Sequence, residues 1–364
     1  MPTSDDALAP YLPRLVVDWL AELPQQRHCR VDGTLAFVDI SGFTRLTERL
    51  AGRGKQGAEE MGDVLNSTFE ELLTAAYDYG AGLVKWGGDA ALLLFDGSAH
   101  AARACRAAIA MQRTMRRIGG LRTSSGPVRL QMSIGVHSGR IDFYLVGSAH
   151  RELVVAGESA TLTAVMEQVA GPAQTVLSAA TVAALGPSGT GLVEEIGPET
   201  GYYLLRRAPA VAPRPNRATK RVRGLDLGRA LPTAIREHVA AGPVEGEHRH
   251  LAIAFVEFAG TDELTARFGA DTVAETLDEL MRVVQAETER NGVTLFTTDI
   301  NRNGGKLLLV AGAPRATGDD ETNLLAAVRA ILAVDSPLRL RAGANSGRAY
   351  VGDFGPSYRR TYSI

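Results

Sequence analysis

Cysteine is nearly absent: the 364 residues hold two, Cys29 and Cys105, far apart and in no His/Cys cluster of metal-ligand spacing. That argues against a disulfide framework and a thiolate metal site, and it fits a reducing compartment. Long apolar runs are missing too, with nothing near the ~18 residues expected of a membrane-spanning helix. The acidic Ser4-Asp5-Asp6 is not followed by the basic and apolar segments of a secretory leader, so the chain is expected in the cytoplasm. Net charge is also small: at a formal −2 the chain has no basic footprint for polymeric nucleic acid, which leaves a nucleotide open as ligand. No Cys/His nucleophile pair is found.

What is present is apolar content, 45% of residues, enough for two domains with their own cores. Leu35 to Ile40 reads as a buried strand, and Phe43, Leu46 and Leu50 recur at helical spacing after it, with Ser41 as the cap. Asp39 stands where strand gives way to helix. Leu65, Phe69, Leu72, Leu73 and Ala76 continue a second helical stripe; Leu83-Val84 and Leu92 to Phe95 then flank Gly87-Gly88-Asp89 as a hairpin. A helix from Ala99 to Met115 and a strand from Leu130 to Val136 follow. The order β-α-α-β-β-α-β predicts an α+β sandwich, helices on one face of a mostly antiparallel sheet.

The pattern recurs. Ala36-Phe37-Val38-Asp39-Ile40-Ser41-Gly42 returns as Ala254-Phe255-Val256-Glu257-Phe258-Ala259-Gly260, and Gly135-Val136-His137-Ser138-Gly139-Arg140 as Gly343-Ala344-Asn345-Ser346-Gly347-Arg348. Two copies of one fold is the simplest explanation. Each has a Leu-Pro-headed helical lead-in, Leu12-Pro13 and Leu231-Pro232, and the Pro-rich and basic stretch between the copies, with Lys220-Arg221-Val222-Arg223, reads as a linker. The expected division is a lead-in over 1–30, a first domain over 31–207, linker and lead-in helix over 208–247, and a second domain over 248–364.

Asp is common at strand ends and in turns, so either carboxylate alone says little. Together they say more, because Ser41-Gly42-Phe43-Thr44 opens a helix whose free N–H groups can hold phosphate oxygens, and a buried carboxylate neutralised by Mg²⁺ is stabilised. Phe37 to Thr44 with Lys85-Trp86-Gly87-Gly88-Asp89 resembles the metal-binding half of class III nucleotidyl cyclases, most closely the soluble, bicarbonate-responsive adenylyl cyclases. The later Gly135 to Gly139 and Val154-Val155-Ala156-Gly157-Glu158 fall where that family has its later strands.

The resemblance implies two cyclase-like sandwich domains paired pseudo-symmetrically within the chain, with ATP between them and two Mg²⁺ or Mn²⁺ ions held by one partner. Asp39 and Asp89 would bridge the metals, the Ile40 carbonyl would complete one coordination shell, and Ser41, Gly42, Phe43 and Thr44 would hold the β- and γ-phosphates. The implied reaction is cyclisation of ATP to cyclic AMP and pyrophosphate. Ser363 falls at the adenine edge; Lys306 is the lysine available for base contact, with Thr297 as the other occupant of that position. Lys85 would pair with a carboxylate or help form a bicarbonate pocket.

The second copy departs from the pattern. Glu257 replaces the first metal Asp, Thr297 to Lys306 does not reproduce K-x-x-G-D, and no second metal site is expected. The helix that carries the family's transition-state Asn and Arg has Thr161 and Val165 at those places in copy one. Copy two reaches Ile364 before that helix, so it is expected to be shortened at its C-terminal side, with downstream regulatory domains outside this sequence. A catalytically incomplete pseudo-cyclase that acts as a regulatory module sensing nucleotide or a small ligand is the alternative function. His137 reads as structural, and His248 and His250 lack a clustered third ligand.

Overall fold

The computed structural model describes residues 7–189, 191–197, 200–215, 224–242 and 246–364. Lys220-Arg221-Val222-Arg223 lies outside them. Helix α1 (Arg14–Glu22) begins at Pro13, whose missing N–H costs nothing at a helix start. It leads into β1 (His28–Ser41), α2 (Phe43–Ala51), α3 (Gly54–Tyr77), the hairpin β2 (Gly82–Gly87) and β3 (Ala90–Asp96), and α4 (His100–Ile118). A small hairpin, β4 (Gly120–Thr123) and β5 (Gly126–Arg129), precedes the long β6 (Gln131–Val146) and β7 (Glu152–Ala156). Then come α5 (Glu158–Val169), β8 (Thr175–Ser178), α6 (Ala179–Leu185), β9 (Val193–Glu195) and β10 (Tyr202–Leu205).

These strands form one sheet in the order β2-β3-β1-β6-β8-β10-β9, with β7 also on β6. All its pairs are antiparallel except β6 with β8, which the α5 crossover makes parallel. Helices cover both faces, not one. Ala36, Val38 and Ile40 point into a core with Phe43, Leu46, Phe69 and Met111 of α2, α3 and α4. Leu35 and Phe37 point the other way, against Val16 and Leu20 of α1 and Ala160 and Ala164 of α5. A strand buried on both sides is apolar at every position, which is why β1 reads as an unbroken run and hides which face the helices take.

The second unit repeats the plan. Helix α7 (Thr233–Ala241) starts at Pro232 as α1 starts at Pro13. After it come β11 (Glu247–Ala259), α8 (Thr261–Phe268), α9 (Ala270–Arg290), β12 (Thr294–Asn301), β13 (Gly304–Ala311), α10 (Asp320–Leu332), β14 (Arg339–Phe354) and β15 (Thr361–Ser363). Its sheet order, β12-β13-β11-β14-β15, matches β2-β3-β1-β6-β7 element for element. Among the described residues no helix does for β11 what α5 does for β1: Phe37 is 8% exposed and its counterpart Phe255 is 49% exposed.

The units interlock reciprocally. Tyr350 and Phe354 of β14 enter the first unit's core, while Tyr144 and Val146 of β6 enter the second's, beside Leu277 and Met281 of α9. Between the units, the Arg214 amide donates to the Asp78 carbonyl (2.9 Å), so this part of the linker lies on the first unit.

Candidate active site

Asp39 and Asp89 meet because β1 and β3 are adjacent. Asp39 stands opposite Ala90 in the ladder, and the next amide, that of Ile40, donates to the Asp89 carbonyl at 3.1 Å. Gly88, at φ +59°, allows the tight turn that brings Asp89 back over the strand end. Both carboxylates line a cavity of about 360 Å³ whose facing wall belongs to the second unit: Phe255, Thr297, Asp299, Asn301 and Lys306.

The electrostatics are those of a place short of positive charge. Burial, then the neighbouring Asp89 and Glu167, push the Asp39 carboxyl up from 3.8 to about 7, with Lys306 opposing. Burial likewise raises Asp89. Glu167 is also raised by burial, against a hydrogen bond that its Oε1 accepts from Ser133 at 2.9 Å. Among the described residues lining the cavity the one cation is Lys306. Its Nζ lies 3.3 Å from Asp299 and 5.7 Å from the centroid of the Phe255 ring.

The fit to a divalent metal rests on this donor set. Among the described residues no three or more His, Cys, Asp or Glu side chains form a group that could hold an ion. Mg²⁺ and Mn²⁺ do not need such a cage: hard cations of this kind are held by one or two carboxylates together with substrate phosphates. Asp39 and Asp89, crowded by other carboxylates, fit that requirement. The corresponding position in the second unit does not, because Glu257 is ion-paired to Arg341 and accepts from Asn303 Nδ2 at 3.1 Å.

Residues 24–198 match the family model for the adenylate and guanylate cyclase catalytic domain. This part of the chain is a class III cyclase domain. The chain is 38% identical over 92 residues to adenylate cyclase type 10 of Rattus norvegicus, covering 24% of this chain and 6% of that protein. It is 31% identical over 157 residues to an uncharacterized protein of Mycobacterium tuberculosis, covering 41% of this chain and 28% of that one. The chain thus spans a small part of the length of these curated relatives. A class III adenylyl cyclase-like ATP-binding protein from Pseudomonas aeruginosa has the same fold, with a TM-score of 0.61 at 14% identity over 92% of this chain and 79% of that chain.

Within the cyclase domain, Ser41 is not the cap of α2. It is the last residue of β1, its hydroxyl donates to the Gln131 carbonyl at 3.4 Å, and Gly42 occupies the N-cap at φ +104°. The reason is local: the chain turns through a left-handed residue, and a Cβ on Gly42 would lie 2.8 Å from the Arg129 carbonyl oxygen. Ser41, Gly42 and Phe43 do not line the cavity; they stand just beyond Asp39, with Thr44 next in the helix. Ile40 is fully buried.

Lys85 is buried and paired with Glu152 at 2.8 Å. The Ser363 hydroxyl accepts from the Gly88 amide at 3.3 Å, tying β15 to the β2–β3 hairpin, and Ile364 beside it reaches the cavity. Thr161 and Val165 do not line the cavity, whereas α5 contributes Ala164, Glu167 and Gln168 to its wall. Sequence reasoning missed Glu167 and Asp299. The signal available for Glu167 was its place one turn beyond Ala164 on the same helical face. His137 is buried with Nδ1 2.9 Å from Ser178 Oγ, a structural contact. His248 sits edge-on to Tyr350, and exposed His250 lies 3.8 Å from Glu321.

Proposed function

We propose that this chain is an adenylyl cyclase module that binds metal–ATP between its two units and converts it to 3′,5′-cyclic AMP and pyrophosphate. The observation that carries the reading is the pairing of Asp39 and Asp89 at the rim of a cavity whose opposite wall comes from the repeat. The divalent metals would be held by Asp39 and Asp89; when bound, they supply charge neutralisation and an acidified ribose 3′-hydroxyl. In the reaction the 3′-oxygen attacks the α-phosphorus and the bond to the bridging oxygen of pyrophosphate breaks.

The chain's own groups orient that displacement. The N-cap and first turn of α2, Gly42 to Arg45, present N–H groups without helical partners, three to six residues past Asp39, toward which phosphate oxygens are attracted. Phe255 offers a ring face at the cavity, suited to a purine. Lys306 and Asp299 stand on the same wall and supply a donor and an acceptor for the base edge, with Thr297 beside them. ATP is preferred over GTP in this reading on the likeness to adenylate cyclase type 10 and to the ATP-binding protein.

One observation favours a second reading, a nucleotide sensor without turnover. Among the described residues lining the cavity Lys306 is the lone cation and none is an arginine that could meet developing charge. Loss of such a contact typically costs ~10²-fold or more in rate. The experiment is conversion of ATP to cyclic AMP with Mg²⁺ or Mn²⁺, comparing the chain with Asp39→Ala. Production that disappears with Asp39 supports the cyclase. ATP binding without product supports the sensor, and product formation unaffected by Asp39→Ala contradicts both.

A further inference from the structure

Strand β12 is paired to β13 along one edge only. At the other edge a side chain of the first unit takes the place of a partner strand: Glu152 Oε1 accepts from the Thr298 amide at 3.1 Å. Lys85 Nζ donates to the same Oε1 and to Thr298 Oγ1, each at 2.8 Å. The Thr298 hydroxyl in turn donates to the Leu153 carbonyl at 2.7 Å. Lys85, Glu152 and Thr298 are all buried, and the hydroxyl and amide of one second-unit residue meet an ion pair that lies wholly within the first.

A buried ion pair is a poor source of stability, because desolvation offsets attraction; its best-attested use is to fix a register. Here the register is that of β12 against the cyclase domain. Thr297 and Asp299 flank Thr298 and line the cavity, and Asp299 holds Lys306. A strand advances about 3.3 Å per residue and alternates faces, so a shift at Thr298 is passed in full to its neighbours.

We infer that Thr298, gripped by Lys85 and Glu152, is a positioning residue for the nucleotide site, setting where Thr297, Asp299 and Lys306 stand relative to Asp39 and Asp89. This rests on the reading of the cavity as a nucleotide site. It also gives Lys85 a role in the first unit's own pair: the ammonium is committed to Glu152 and Thr298.

The test is isothermal titration of ATP with Mn²⁺ into the full chain, beside thermal melts. Thr298→Val keeps the shape and the amide and removes the hydroxyl; Thr298→Ser restores it. The expected result is at least a fivefold loss of ATP affinity in Thr298→Val with cooperative melting retained, and recovery to within twofold in Thr298→Ser. Affinity in Thr298→Val within twofold of the parent overturns the inference, as does a Thr298→Ser variant as weak as Thr298→Val. Should Thr298→Val not fold, Glu152→Gln, which keeps an acceptor for the Thr298 amide but drops the charge, is read by the same limits. A parent chain that binds no ATP removes the nucleotide reading itself, whereas a binding parent with an unaffected Thr298→Val removes only the positioning role.

Discussion

Replacing Lys85 by methionine removes the cation from Glu152 while keeping an apolar stem of similar length. Burial alone would raise the Glu152 carboxyl, but Lys85 and then His150 outweigh it and hold it at about 2 in place of the usual 4.5. At about 1.4 kcal/mol per tenfold change in proton affinity, that difference amounts to roughly 3 kcal/mol. Breaking a buried pair by removing one partner costs roughly 3–5 kcal/mol. Lys85→Met is therefore expected to destabilise the fold by about 3–5 kcal/mol at pH 7, whereas Lys85→Met with Glu152→Leu recovers most of the loss. Because the folded value is depressed, the stabilisation is fully present above pH 4.5 and is lost as pH falls toward 2. Urea unfolding read by Trp86 fluorescence reports on the site directly, in a Trp19→Phe background, since these are the two tryptophans. A cost for Lys85→Met below about 1 kcal/mol, the range of an exposed pair, would show that Lys85 and Glu152 are not coupled as a buried pair.

Burial holds the His137 imidazole down to about 4 from 6.5, so its contribution is present above pH 6.5 and lost as pH falls through 4. Urea midpoints should drop between pH 7 and pH 5 by more in the parent than in His137→Asn, which carries the residue found at the repeat position Asn345; equal drops would contradict this. Gly135 and Gly343 should respond oppositely to alanine. A Cβ on Gly135 would lie 2.1 Å from the Glu167 amide nitrogen, backbone of α5, whereas one on Gly343 meets nothing within 4 Å. Gly135→Ala is expected to lose about 3 kcal/mol or fail to fold, and Gly343→Ala to stay within about 0.5 kcal/mol by chemical denaturation; equal costs would sink the assignment of α5 as the element seated on Gly135.

Local features of the site were readable in order. The strand-to-helix change at Asp39, the Gly87-Gly88-Asp89 turn, and the repeat that begins at Ala254 follow from apolar spacing and turn residues, and the structure places Asp39 and Asp89 at one cavity. The failures were those of non-local geometry. Ser41 reads as a cap by residue type, yet the approach of the Arg129 carbonyl requires a glycine in the left-handed region, and no neighbouring residue signals that. Helices on both faces follow from α1 and α5 packing on Leu35 and Phe37, which a run apolar at every position cannot reveal. Glu167, Asp299 and the Glu152 contact with Thr298 depend on how helices and units dock, so their meaning appears only once the two sheets face each other.

In the proposed function Asp39 and Asp89 hold a metal–nucleotide complex against the wall formed by Thr297, Asp299 and Lys306. Anomalous scattering from manganese in crystals grown with Mn²⁺ and a non-hydrolysable ATP analogue tests it in one measurement. A manganese peak is expected at the Asp39 and Asp89 carboxylates, with the triphosphate toward Gly42 to Thr44 and the base toward Phe255 and Lys306. Manganese or nucleotide bound elsewhere, with these two carboxylates uncoordinated, would contradict it.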